Sequence, residues 1–282
     1  YFFEFDVEKT ILSEKLYIDN KILLERMGTT AKSYITDKQN YSDIDKETLF
    51  LRTIYFNTRF AGNEILRKWF DFLQSSVYFN AFERKIISYG KKELSLIKYI
   101  EKKGTMEINQ FFEKLGFNQS IDYANEAEGE HVVIKYNMDG EKMLFFKRKG
   151  IETPIPFHEE SEGNCTLLNL LPAFLFVIQN NGMLLIDEFS SGFHNELEEW
   201  LVKYFMRTAN KSQMIFVSHS TNLLSTSLLR PDQIYSVEFD GKNGSRVKRF
   251  SDEQPRVAQN LEKMYLSGVF GGLPNYKDTY ED

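Results

Sequence analysis

Two short apolar runs, each closed by polar chemistry, organise the second half of this chain. Met183–Glu188 reads MLLIDE, and Met214–His219 reads MIFVSH. A short apolar run that ends in charge is the pattern of a strand buried in a parallel sheet. Between the two lie a polar loop, SSGFH (Ser190–His194), and a helical pattern over Glu196–Thr208. Upstream, apolar residues from Leu167 to Ile178 predict a helix from about Cys165 to Gln179, stopped by Asn180, Asn181 and Gly182. Downstream, the pattern predicts a helix near Thr221–Leu229. A hairpin of Ile234–Phe239 with Ser245–Phe250 across Asp240–Gly244 follows, then a helix over Val257–Leu266.

The first half reads differently. Tyr1–Val7 alternates like a strand, and Lys15–Leu24 forms a second extended stretch with a turn at Asp19-Asn20. Residues 28–48 are polar and read as a surface loop. From Glu47 to about Ala124 the period becomes helical: Leu66, Trp69, Phe70 and Leu73 share one helix face, and Leu94, Ile97, Ile100, Phe111, Phe112 and Leu115 continue the pattern. Asn118–Glu130 is an acidic connector, and Val132–Tyr136 with Met143–Lys147 predicts a hairpin turning at Asp139-Gly140. The expected fold is α/β, with a mixed or parallel sheet flanked by helices and a helical insertion. The expected division is 1–46 (β-rich, with the surface loop), 47–130 (helical insertion) and 131–282 (the lobe bearing the chemistry).

Composition narrows the class. At 282 residues, with 42% hydrophobic and 27% charged, the chain can bury one large core or two modest ones. A formal net charge of −6 excludes a global basic field for nucleic acid. Arg84, Lys85, Lys91, Lys92 and Lys98 make the helical region locally basic, which leaves a DNA or RNA contact open; the aromatics there read as core. The single Cys165 excludes an internal disulfide and fits a reducing cytoplasm. No apolar run approaches the ~20 residues of a membrane span. The chain begins at Tyr1 inside a strand-like pattern, so a native N-terminal segment is expected to precede it.

The chemistry concentrates at the ends of the two apolar runs. Carboxylates at the C-terminal end of a parallel strand face the crevice where open α/β sheets bind ligands. Asp187 can hold Mg²⁺ there, and Glu188 can orient or deprotonate water. A solvated Asp-Glu pair is the structural alternative. Within Glu160–Asn164 (ESEGN), Ser161 and Gly163 precede an apolar helix, so free backbone N–H groups can meet an anion. The simpler role is helix capping by Ser161 or Asn164. His219, followed by Ser220 and Thr221, can face the same crevice as Glu188 and hydrogen-bond a γ-phosphate. Ser190, Ser191 and His194 line the loop directly after Glu188. GTTAKS at Gly28–Ser33 is rejected as a phosphate loop, because GxxxxGK[ST] needs glycines where Arg26 and Ala31 stand. His131, His158 and Cys165 lack metal-ligand spacing.

In this order the segments from Glu160 to Leu229 resemble the C-terminal half of an SMC-like ABC ATPase head: signature, Walker B, D-loop and His switch. Nearly the whole chain resembles the ABC-type ATPases of bacterial defence and restriction-linked loci, a group related to the ATPase half of OLD-family nucleases. Thr48–Asn57 (TLFLRTIYFN), Arg230–Asp240 (RPDQIYSVEFD) and Asn260–Asn275 (NLEKMYLSGVFGGLPN) carry that likeness. The signature departs from the LSGGQ of transporters. The resemblance implies ATP and Mg²⁺ as cofactors and an ATP sandwich in a homodimer or larger homo-oligomer. Ser161, Gly163, Ser190, Ser191 and His194 would bind nucleotide, Asp187 the metal, and Glu188 and His219 would be catalytic. It also implies an effector partner, a nuclease or toxin, and places the phosphate loop upstream of Tyr1. A non-hydrolysing scaffold that stores an effector and an SMC-like DNA-repair head are the alternatives.

Overall fold

Asp19 and Asn20 both take left-handed backbone, at φ 48° and 62°. This closes the first predicted turn as a two-residue hairpin, the geometry Asn and Asp tolerate best. The structure, a computed structural model, describes residues 1–89, 94–128, 133–135, 141–225, 228–239, 241, 244–256 and 259–273. It divides into two units, Tyr1–Gln74 and Ser75–Asp282. Among the described residues no helix is long and apolar enough to cross a membrane.

The first unit is an antiparallel meander of β1 (Phe2–Phe5), β2 (Ile11–Ile18), β3 (Lys21–Met27), β4 (Thr30–Ser33) and β5 (Gln39–Tyr41), followed by α1 (Phe50–Thr58) and α2 (Glu64–Gln74). The surface loop expected over 28–48 is therefore corrected: it contains two strands. GTTAKS is a turn at Gly28, φ 54°, running into β4, and not the loop-to-helix start a phosphate loop needs. Glu14 and Arg26 stand opposite each other across β2 and β3 and pair at 2.9 Å, both fully buried. The Glu14 carboxylate also accepts the Phe50 and Leu51 N–H groups of α1 at 2.7 and 3.3 Å. Arg26 donates to the carbonyls of Gly28, Asp45 and Thr48. A buried ion pair is tolerated when its remaining donors and acceptors are satisfied in this way.

The second unit contains β6 (Val77–Asn80), β7 (Lys85–Ser88), α3 (Leu96–Lys103), α4 (Met106–Lys114), β8 (Gln119–Ala124), β9 (Glu126–Glu128), β10 (Val133–Lys135), β11 (Met143–Arg148), β12 (Ile155–Pro156), α5 (Glu162–Asn180), β13 (Met183–Asp187), α6 (Asn195–Thr208), β14 (Gln213–Phe216), α7 (Asn222–Ser225), β15 (Tyr235–Phe239), β16 (Ser245–Arg249) and α8 (Leu261–Leu266). The sheet that matters runs β14-β13-β6-β7. Its first three strands are parallel, and β7 is antiparallel to β6. The mixed α/β sheet flanked by helices is the expected class.

Two element assignments are corrected. The stretch read as helical from 47 to 124 contains β6, the strand next to β13. Asn118–Glu130 is not a connector either. Met143–Arg148 pairs with Gln119–Ala124, while Val133–Lys135 pairs with Glu126–Glu128; the expected turn at Asp139-Gly140 lies outside the described residues. The last helix starts at Leu261, and residues 257 and 258 of its expected span lie outside the described residues.

One sheet face, carrying Val77, Phe79, Leu184 and Ile186, is buried with α5, whose Leu167, Leu168, Leu170, Leu171, Phe174 and Val177 are fully enclosed. The Gly-rich tail stretch, part of Asn260–Asn275, has a structural role. Phe270 is fully buried and stacks on Phe250 at 3.7 Å and 9°. Its carbonyl accepts the Ser236 hydroxyl at 2.6 Å. At Gly272 a side chain would lie 3.1 Å from the Val237 carbonyl.

Two substitutions test this packing. A methyl at Gly163, in the first turn of α5, would sit 2.5 Å from the Gly192 carbonyl oxygen. Gly163→Ala should cost about 1–3 kcal/mol through overpacking, more than the ~1 kcal/mol that Ala gains in helix propensity; denaturant titration checks the sign. Glu198, on the buried face of α6, is 1% exposed, and its Oε2 has no hydrogen-bond partner among the described residues. Burial pushes its carboxyl from an ordinary 4.5 up to about 7, against a smaller opposing hydrogen bond from Ser220. The folded state therefore binds the proton more tightly than the unfolded state does. Stability should be fullest below pH 4.5, fall as pH rises, and level off above about 7. Glu198→Gln should flatten that window in thermal melts while leaving other titrations in place.

Candidate active site

The end of β13 is built around a reversal at Glu188, whose backbone is left-handed at φ 56°. Such a conformation costs a non-glycine residue roughly 1–3 kcal/mol and persists only where neighbours over-determine it. Phe189 supplies that constraint. It is fully buried, packs on Phe193 and Phe216, and donates its N–H to the Val217 carbonyl at 2.8 Å. With Phe189 driven inward, Glu188 is turned toward solvent, and its side chain is 38% exposed.

Asp187 is held from both sides. Its Oδ2 accepts the Tyr78 hydroxyl at 3.0 Å, and its Oδ1 accepts the Glu188 N–H at 3.2 Å. Its carbonyl accepts the Ala81 N–H at 2.9 Å. His219, just past β14, reaches the Glu188 carboxylate: Nε2 to Oε1 is 3.5 Å, with the imidazole 80% exposed. The His219 N–H donates to the Ser190 hydroxyl at 3.4 Å, and the Ser191 N–H donates to the Glu188 carbonyl at 2.8 Å. Four expected residues, Asp187, Glu188, Ser190 and His219, thus meet at the ends of β13 and β14.

A second group forms at the start of α5. Ser161 is the N-cap and accepts the Asn164 N–H at 3.4 Å, which is the capping role weighed from the sequence. Gly163 abuts Gly192 of the loop after Glu188. This close approach is the reason for glycine at both places, since Gly192 also has φ 83°. His194 caps α6, its Nδ1 accepting the Glu196 N–H at 3.4 Å. Two carboxylates flank the α5 N-terminus, each with an arginine. Glu160 pairs with Arg148 at 2.5 Å, and Glu162 pairs with Arg84, which also donates to the Thr166 hydroxyl at 3.3 Å. Burial alone would raise the Glu160 carboxyl. Hydrogen bonds from the Ser161 N–H, Asn164 and Arg148 overcome it and hold the group below the usual carboxylate range. Arg84 is therefore engaged within the protein at this helix start.

Sequence reasoning missed Tyr78 and Asn80. Asn80 stands opposite Asp187 in the parallel register, at the end of the neighbouring strand. The only signal was VYFN between polar Ser75-Ser76 and the following turn, too short for periodicity to decide. His131, Lys91 and Lys92 lie outside the described residues.

The donor set fits Mg²⁺. Among the described residues no group of three or more His, Cys, Asp and Glu side chains could cage a metal ion. Mg²⁺ is usually bound through one or two carboxylates plus substrate phosphates and water, not an all-protein cage. Asp187, half-buried at the strand end, could supply one such carboxylate. The sheet face that bears Asp187 is open: Ile87, Ile215 and Val217 are 54%, 52% and 55% exposed. Register puts Ile87, Tyr78, Leu185 and Ile215 in one row across it.

No curated protein matches the chain. Among solved structures, it is similar to one from a study of the ATP-driven dimerization and DNA-stimulated activation of SMC ATPases. That match has 12% identity and a TM-score of 0.41, covering 62% of this chain and 96% of that one. It is also similar to the Smc head domain with a coiled coil and joint from Pyrococcus yayanosii, at 14% identity and a TM-score of 0.39, covering 61% of this chain and 32% of that one. The profile of a protein family described as "AAA domain, putative AbiEii toxin, Type IV TA system" matches residues 20–225, a span that includes every candidate site residue from Ser161 to His219. With most of its length matched, the chain belongs to this AAA-domain family.

Proposed function

We propose that the chain carries the Walker B half of an ABC-type ATP hydrolase that works as a homodimer. It would serve as a sensor or regulator in a bacterial anti-phage defence system and control an effector, a nuclease or toxin. The observation that carries the hydrolase reading is the cluster at the strand ends: Asp187 tied by Tyr78, and Glu188 turned outward beside His219 at 3.5 Å. The family match supports a nucleotide-handling domain, and the defence role rests on the sequence resemblance.

ATP is the substrate. Mg²⁺, when bound, would offset charge on its β- and γ-phosphate oxygens, and Asp187 would be its protein ligand. Glu188 orients the attacking water and accepts its proton; its exposure leaves room for that water. His219 stands 3.5 Å from the Glu188 carboxylate on an exposed ring, from which it could turn its N–H to the γ-phosphate. Little covalent chemistry falls to the protein in phosphoryl transfer, so positioning and charge stabilisation do most of the work. Ser161 and Gly163 would present the α5 N-terminus to the nucleotide of the partner copy, and Ser190, Ser191 and His194 would line the loop crossing between copies.

A hydrolase also needs a phosphate-binding loop, for which these 282 residues hold no match. Parallel sheets normally bury both faces, and the open face beside Asp187 is a place where a loop-bearing strand and helix could pack. The intact, solvent-reachable Glu188 favours turnover over a scaffold that only stores an effector.

In the native full-length protein, Glu188→Gln should slow turnover roughly 10²–10⁴-fold, typical for loss of a general base, while ATP binding survives. Wild-type turnover in that variant would remove Glu188 from the mechanism. The sandwich is tested by mixing Ser161→Arg protein with Glu188→Gln protein. In a mixed dimer one composite site inherits both lesions and the other none, so activity should recover above the sum of the parents. Ser161→Phe controls for the added charge. No recovery after verified subunit exchange would leave Ser161 as a helix cap alone.

A further inference from the structure

We propose that Tyr78 is a positioning residue that fixes the Asp187 carboxylate for Mg²⁺; this rests on the hydrolase reading above. Tyr78 lies on β6, in register with Leu185 of β13. It therefore shares a sheet face with Asp187, two residues further along β13. Its hydroxyl donates to Oδ2 at 3.0 Å, while the Glu188 N–H donates to Oδ1 at 3.2 Å. Both carboxylate oxygens are thus tied, and the Asp187 carbonyl is tied by Ala81. A carboxylate oxygen offers two acceptor sites, so each keeps one for an incoming cation. A ligand already held in one rotamer loses less conformational freedom when the metal arrives. Outer-shell partners of this kind are commonly worth 10–100-fold in metal affinity.

The hydrogen bond is not required by burial. Tyr78 is half-buried on an open face, where water could satisfy its hydroxyl. The three apolar neighbours in its row, Ile87, Leu185 and Ile215, offer no alternative acceptor through their side chains. Asp187 is the side chain the phenol reaches.

The test is Tyr78→Phe, which keeps the ring and removes one oxygen. Binding is read with Mn²⁺ and ATP on native full-length protein carrying Glu188→Gln, so that nucleotide is not consumed. Electron paramagnetic resonance follows free Mn²⁺. Tyr78→Phe should weaken Mn²⁺ binding about tenfold. In the protein with Glu188 intact, the Mg²⁺ concentration for half-maximal hydrolysis should rise by a similar factor, and kcat at saturating Mg²⁺ should fall far less. Unliganded melting should match the wild type, which separates positioning from folding. Asp187→Asn is the reference and should weaken Mn²⁺ binding more than Tyr78→Phe does. If Asp187→Asn weakens binding and Tyr78→Phe does not, the proposal is overturned and the hydrolase reading stands. If Asp187→Asn also binds Mn²⁺ like the wild type, the metal assignment is wrong and the role of Tyr78 falls with it.

Discussion

The packing of α5 against β6 and β13 sets the register of nearly everything at the site. Its N-terminal turn carries Ser161 and Gly163, and its C-terminal end feeds directly into the strand that delivers Asp187. The joint between helix and strand is tight. Asn181 takes left-handed backbone at φ 53°, and any side chain at Gly182 would lie 1.9 Å from the Ser75 carbonyl oxygen. Glycine is thus demanded by a backbone that passes against the start of β6. The Met183 N–H then donates to the Ser76 hydroxyl at 3.0 Å, and β13 enters the sheet in register.

The parts legible in the sequence are those whose burial is complete or whose punctuation is local. β13 and β14 are short apolar runs closed by chemistry. α5 is apolar around most of its circumference and ends in Asn-Asn-Gly. The Asp19-Asn20 turn announces itself by residue type. What was not legible is decided by partners distant in sequence. TAKS and QNY look like loop because each buries little: in β4 only Ala31 and Ser33 point inward. QSIDYA has one fully buried side chain, Ile121, so its strand character comes from pairing with β11. β6 offers four residues, and its place beside β13 depends on a parallel pairing with a strand about a hundred residues away, which no local pattern encodes. Tyr78 and Asn80 were missed with it.

The C-terminal segment bears on the site through the loop that carries His219. Thr221 donates to Glu262 of α8 at 2.7 Å, and Asn222 donates to the Ser220 hydroxyl through both its backbone N–H and its side chain. α8 belongs to the small core of Ile234, Phe250, Leu261 and Phe270. The Gly-rich stretch around Phe270 packs against Ser236 and Val237 of β15 and on Phe250, and so completes the small core to which α8 belongs. Its consequence for the chemistry is indirect: it limits where the loop can go, while the imidazole itself stays in solvent.

The two carboxylates at the end of β13 are adjacent in sequence yet held under opposite regimes, and that contrast follows from backbone geometry. Asp187 is the last residue of a strand, its position set by the ladder and its side chain tied at both oxygens. Glu188 is the first residue beyond it, turned over by a left-handed φ and touched by one exposed imidazole. A metal ligand gains from being fixed before the metal arrives. A base that must take a proton from water gains from an open side and a partner that can respond to the group opposite. Exchanging the two residues would place the longer, freer side chain on the fixed strand and the shorter one on the strained turn, where it could no longer reach as far into the crevice. The order Asp-Glu therefore suits the proposed division of tasks, with a tied carboxylate on the strand and a freer one just beyond it.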